Sequence, residues 1–253
     1  MASVLQHDGR SRTVWISAVL LVSCLLHAQE RCAVEVKLLL LPAEAPAAIA
    51  SLKLEKETTS QVYFFDTDAL DLLSKGVIVR VRQGGNNDLT VKVRPPEAKR
   101  FGDPTQGRED FKCENDLTGG EVTRSYSIRK KYAASRVPDA GQDISSLLSD
   151  GQKKLIRETK VSIDWSRVRR IASIRSTEWD TRAQPPFDKL TLEFWEWTGG
   201  TILELSTKVG PDKGQATYAE LRRLANTKGL SASGIQSVKT RTVLKSLAGR
   251  TAP

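Results

Sequence analysis

Histidine is nearly absent from this chain: of 253 residues only His7 and His27 carry an imidazole. Both lie in the first 28 residues, which read as a segment removed on export, so the remaining chain has none. That absence excludes Ser-His and Cys-His nucleophilic systems, His-containing zinc sites and imidazole acid–base chemistry. Any catalysis must rest on carboxylates, Lys, Arg, Tyr or a metal held by oxygen ligands. A Gly-rich Walker loop and a dinucleotide fingerprint are missing as well. Aromatic residues make up 6% of the chain. The pair that could stack on bases, Trp195 and Trp197, falls in a segment that reads as core, so no nucleic acid is expected as a partner.

Cysteine is scarce, with three in the chain. Arg10 and Arg12 precede an apolar run from Val14 to Leu26, and small residues end near Ala28. The run is too short to span a bilayer and has the form of a secretory signal, which divides the chain into a leader, 1–28, and a single domain, 29–253. The expected location is outside the cytoplasm, periplasmic or secreted. Leu21-Val22-Ser23-Cys24 also has the form of a lipoprotein cleavage box, which would place the protein on a membrane through acylated Cys24. An uncleaved anchor or a core helix is the plainer alternative. After the cut Cys32 and Cys113 remain, and two readings stay open: one disulfide in an oxidising compartment, or two buried thiols.

What the chain does have is positive charge. Lys and Arg number 39 against 30 Asp and Glu, a formal +9, and removing Arg10, Arg12 and Asp8 with the leader leaves +8. The basic character therefore belongs to the folded part and favours acidic partners.

The hydrophobic pattern is mostly that of strands. Ala33–Leu41, Gln61–Asp66, Val77–Arg82, Leu89–Arg94, Asp110–Leu117, Ser125–Tyr132, Lys160–Asp164, Leu190–Trp197 and Thr201–Val209 read as strands, the pairs flanking Gly84-Gly85-Asn86-Asn87 and Gly199-Gly200 as hairpins. Pro46–Leu54, Asp68–Lys75 and Ile144–Glu158 read as helical. Tyr218, Leu221 and Leu224 lie at helical spacing, Gly229 breaks the pattern, and a second terminal helix is expected through Val238 to Leu247. The fold class is α+β.

Residues two apart on a strand share a face, so Arg80 and Arg82 point one way, as do Lys92 and Arg94, with valines behind them. If the hairpin pairs these strands valine to valine, four cations share one surface and need acids, water or a bound anion to offset their repulsion. Glu35 with Lys37, and Glu204 with Lys208, repeat the arrangement. The simpler alternative is a solvated outer face.

The order of these segments is similar to that of the CYTH, or triphosphate tunnel metalloenzyme, family. Ala33-Val34-Glu35-Val36-Lys37 resembles its E-x-E-x-K opening. Tyr63-Phe64-Phe65-Asp66-Thr67, followed by Leu72 through Arg82, resembles its next block, and Leu89–Arg94 the third. Arg108–Glu114, Leu192-Glu193 and Ile202–Leu205 look like later strands, so the likeness runs from about residue 33 to 209. The resemblance implies an eight-stranded antiparallel β-barrel, or tunnel, with flanking and C-terminal helices. It implies Lys37, Arg80, Arg82, Lys92, Arg94, Arg129 and Lys208 as phosphate ligands, Glu35, Glu193 and Glu204 as ligands of Mg²⁺ or Mn²⁺, and Glu35 and Glu204 as catalytic.

Two departures bear on that metal site. Ala33 stands where the opening pattern has its first glutamate, and Ser206 where the late strand has a second acid; Glu196 lies on the opposite face from Glu193. The phosphate-gripping bases are nearly complete while hard ligands are missing. The expected functions are metal-dependent hydrolysis of triphosphate, polyphosphate or an organic triphosphate, or, as the alternative, a non-catalytic polyphosphate-binding module. Adhesion to an anionic cell-surface polymer is a third.

Overall fold

The computed structural model describes residues 32–85, 87–95, 100–132 and 143–248, all within one compact unit, Arg31–Pro253. The leader over residues 1–28, with Cys24, lies outside the described residues.

In chain order the elements are β1 (Ala33–Leu40), α1 (Ala45–Ser51), β2 (Lys56–Asp66), α2 (Asp71–Ser74), β3 (Val77–Gln83), β4 (Asp88–Val93), β5 (Asp110–Thr118) and β6 (Glu121–Lys131). Then come α3 (Asp150–Glu158), β7 (Arg169–Gln184), β8 (Phe187–Trp197), β9 (Gly200–Val209), α4 (Gly214–Thr227) and α5 (Lys239–Ala248). Local chemistry sets several boundaries. Ser149 and Gln152 form a reciprocal capping box at the start of α3. The Asp66 carboxylate accepts from the backbone amides of Thr67, Leu72 and Leu73, and so turns β2 into α2. Gly84 and Gly85 take φ of 90° and 63° at the β3–β4 turn, where a side chain would be strained.

The strands close into a barrel in the order β1-β5-β6-β4-β3-β2-β7-β8-β9. The barrel thus has nine strands rather than the expected eight, and it is mixed rather than wholly antiparallel. In a ring of nine, alternating directions cannot close, so one neighbouring pair must run parallel; that pair is β1 and β5, with Glu35 opposite Asp116. The strand left out of the sequence reading is β7, which pairs β2 on one side and β8 on the other. Lys160–Asp164, expected as a strand, is irregular chain leading to a 3₁₀ turn at Trp165–Arg167.

Apolar packing lies largely outside the barrel wall. Val77, Val79, Val81, Leu89, Val91 and Val93 face outward into a core closed by Leu155 and Ile156 of α3. Across the barrel, Val36, Leu38, Leu203 and Leu205 pack beneath Ala48 of α1 and Leu221 of α4. A third cluster is internal: Leu39, Phe64, Ile78, Trp195 and Ile202 meet Val243 and Leu244 of α5. Helix α5 therefore stops the lumen below a charged layer. The side chains turned inward above that stop are polar.

Candidate functional site: a basic tunnel

The β3–β4 register puts Val79 opposite Val91 and Val77 opposite Val93, so the valines pair outside and the cations turn into the lumen. Within this hairpin no cation faces another directly: Arg80 stands opposite Thr90, Arg82 opposite Asp88, and Lys92 opposite Ile78 on one side and Ser127 of β6 on the other. This stagger limits cross-strand repulsion. The lumen holds a cavity of about 530 Å³ lined by Lys37, Arg80, Arg82, Lys92 and Arg94, all at once. Among the described residues, ten Lys or Arg and six Asp or Glu line it, a cationic excess in a partly enclosed space.

Asp116 of β5 organises one side. Its carboxylate is fully buried and accepts from Lys37 Nζ at 2.8 Å and Lys92 Nζ at 3.2 Å, with an Arg94 nitrogen at 3.5 Å. Burial opposes ionisation of Asp116, but these three cations outweigh it and hold its pKa well below the ordinary carboxylate range. Burial likewise opposes the charge on Lys37, yet Asp116, Glu35 and Glu204 raise its pKa well above that of a free lysine. Lys92 goes the other way: burial is decisive, and its pKa is lowered.

On the opposite side Glu178, Glu193 and Glu204 lie side by side as register partners on β7, β8 and β9. Lys239, the first residue of α5, donates to both Glu193 and Glu204, the latter at 2.7 Å. Glu193 also accepts from Ser176 Oγ and Trp195 Nε1, each at 2.7 Å. Burial raises the pKa of Glu193, but Lys239 and then Arg82 reverse this and hold it well below the usual range. Arg82 approaches Glu193 at 3.6 Å and Arg80 approaches Asp88 at 3.7 Å.

These pairs leave donors over. The Nε groups of Arg80, Arg82 and Arg94 are buried and have no hydrogen-bond partner among the described residues. Buried donors of this kind are normally satisfied, and an anion in the cavity is one group that could draw them in.

The expected phosphate ligands therefore separate into two groups. Lys37, Arg80, Arg82, Lys92 and Arg94 converge on one lumen. Arg129 and Lys208 line its rim, with side chains 45% and 56% exposed, and are already held by Asp110 and Glu114. Sequence reasoning missed Asp116, Glu178 and Lys239. Lys239 left a faint signal: it lies four residues before Val243, on the buried face of an amphipathic helix, where a lysine needs a partner.

The expected metal ligands Glu35, Glu193 and Glu204 do not fit a divalent cation in this arrangement. Glu35 pairs with Lys37 at 3.0 Å, while an ammonium group already bridges Glu193 and Glu204. Among the described residues no three His, Cys, Asp or Glu side chains converge as metal ligands. Ala33 and Ser206, which stand where the family pattern has further acids, add no ligand.

A closed β-barrel with cations turned inward, one end stopped by a C-terminal helix, is a CYTH-like tunnel fold. HpAC1 from Hippeastrum, a candidate adenylyl cyclase described as having a dominant triphosphatase activity, superposes over 84% of this chain and 94% of its own, with TM-score 0.60 and 20% identity. A candidate adenylate cyclase from Bacillus halodurans does so over 83% and 97%, with TM-score 0.55 and 13% identity. No protein-family profile and no curated protein sequence matches the chain.

Proposed function

We propose that the tunnel binds a condensed phosphate chain, with inorganic tripolyphosphate as its simplest occupant. The observation that carries this reading is the convergence of Lys37, Arg80, Arg82, Lys92 and Arg94 on one cavity, with three arginine Nε donors unpartnered. Successive phosphoryl groups present acceptor oxygens at short intervals, matching cations spread over β1, β3 and β4. Guanidinium groups bind such oxygens in a planar fork, and partial exclusion of water strengthens each contact. The setting would be outside the cytoplasm, which the bridge between Cys32 and Cys113 supports.

The decisive test is titration of the mature protein with tripolyphosphate by calorimetry. Arg80→Ala combined with Arg82→Ala should abolish binding while the circular dichroism spectrum stays unchanged; undiminished affinity in that double variant would falsify the reading.

Hydrolysis is a second reading, favoured by the triphosphatase activity attributed to HpAC1. It would require phosphate release from tripolyphosphate in Mg²⁺ or Mn²⁺ that Glu204→Gln stops. Retained binding with no release above the variant level favours the binding module.

A further inference from the structure

Building on the phosphate-binding reading, we infer that Lys239 is a built-in counter-cation that stands where a divalent ion would be needed, so that this tunnel takes condensed phosphate without metal. Glu193 and Glu204 are direct partners on adjacent strands, and such neighbours lie about 4.8 Å apart along the sheet. Two carboxylates at that spacing repel unless a cation or a proton lies between them. The cation present is an ammonium tethered to the chain.

Its position is fixed from every side. Val243 and Leu244, one turn further along α5, are buried against the internal apolar cluster and hold the helix in the barrel end. The ammonium lies 4.7 Å from the centre of the Trp195 ring, a cation–π contact. Ser176 and Trp195 fill Glu193 Oε1 while Lys239 holds Glu193 Oε2 and Glu204 Oε1. A metal ion would have to displace an ammonium group that donates to both carboxylates. Lys239 also lines the phosphate cavity, so the side chain that offsets the two acids is itself part of the lumen wall.

Mn²⁺ alone, followed by electron paramagnetic resonance, tests the lysine independently of phosphate. The wild-type protein should leave Mn²⁺ free. Lys239→Met keeps an unbranched side chain one atom shorter and removes the charge; it should acquire one bound Mn²⁺, which adding Glu204→Gln abolishes. Mn²⁺ bound by the wild type in a Glu204-dependent manner, or no gain in a folded Lys239→Met protein, overturns the inference.

Wild-type calorimetry needs no variant to fold. Tripolyphosphate affinity should be no higher in Mg²⁺ than in EDTA, because Mg²⁺ held by the free polyphosphate competes with the lumen cations; a rise of about tenfold or more with Mg²⁺ overturns the inference. Absence of binding in both buffers would instead overturn the phosphate reading, and the Mn²⁺ spectra would still decide the role of Lys239.

Discussion

Lys37 and Asp116 are joined by a hydrogen-bonded ion pair of 2.8 Å across the parallel strands β1 and β5, and the same carboxylate gathers Lys92 and Arg94. One buried acid thus holds three lumen cations in position. Asp116→Ala would leave those charges confined without their partner, and loss of one member of a buried pair costs about 3–5 kcal/mol. Urea denaturation at neutral pH should register a loss of that order.

Acid stability follows from the same contact. The folded pKa of Asp116 is depressed, so its stabilising contribution is present above the unfolded value, about 3.9, and is lost as pH falls toward the folded one. Unfolding free energy should decline below about pH 4 in the wild type, and less steeply in Asp116→Asn. Equal acid slopes for the two proteins would remove Asp116 from this role.

Gly76 positions the end of β4. Its φ is 73°, its carbonyl accepts from the Arg94 amide at 2.7 Å, and an added Cβ would collide with the Arg94 carbonyl oxygen. Gly76→Ala should therefore cost at least about 1 kcal/mol and shift Arg94 within the lumen. A lower Tm together with weaker tripolyphosphate binding is the expected outcome; a lower Tm with unaltered binding would show that Arg94 tolerates the shift.

How much of this was legible beforehand depends on what each residue faces. The β3–β4 hairpin was readable because Val79, Val81 and Val91 alternate with Arg80, Arg82 and Lys92, and one outer apolar core fixes both strands in register. Strand β7 was not, because Ser176, Glu178 and Asp180 alternate with Arg175, Thr177 and Thr181, so both faces are largely polar and the period of two disappears. The parallel β1–β5 pair follows from strand number, which no local pattern reports. Glu204 was found by strand parity and Glu193 through the family resemblance, but their partner comes from a helix about 35 residues beyond β9's Glu204. Such a contact leaves a trace only as a lysine on a buried helix face.

Cys32 and Cys113 are bridged, resolving the choice left open between a disulfide and free thiols. The bond ties the start of β1 to β5 across a sequence separation of 81 residues. By the chain-entropy model a loop of that length stabilises the fold by about 4.5 kcal/mol. Cys32→Ser with Cys113→Ser should lower the unfolding free energy by that order. Dithiothreitol should destabilise the wild type and leave the double variant unaffected, which separates loss of the bridge from other effects of the reductant.

Trp195 should report occupancy of the tunnel. Its indole donates to Glu193 and its ring lies beneath Lys239, so two charged groups of the site set its electrostatic environment. A phosphate chain entering beside Lys239 adds negative charge within the same partly dry space and alters the field along the ring. Trp165, Trp179 and Trp197 do not line this cavity. Titration with tripolyphosphate should therefore change tryptophan emission along the calorimetric binding curve. In Trp195→Phe that change should vanish while calorimetric binding persists. A signal surviving that substitution would place the reporting indole, and with it the bound phosphate, elsewhere on the molecule.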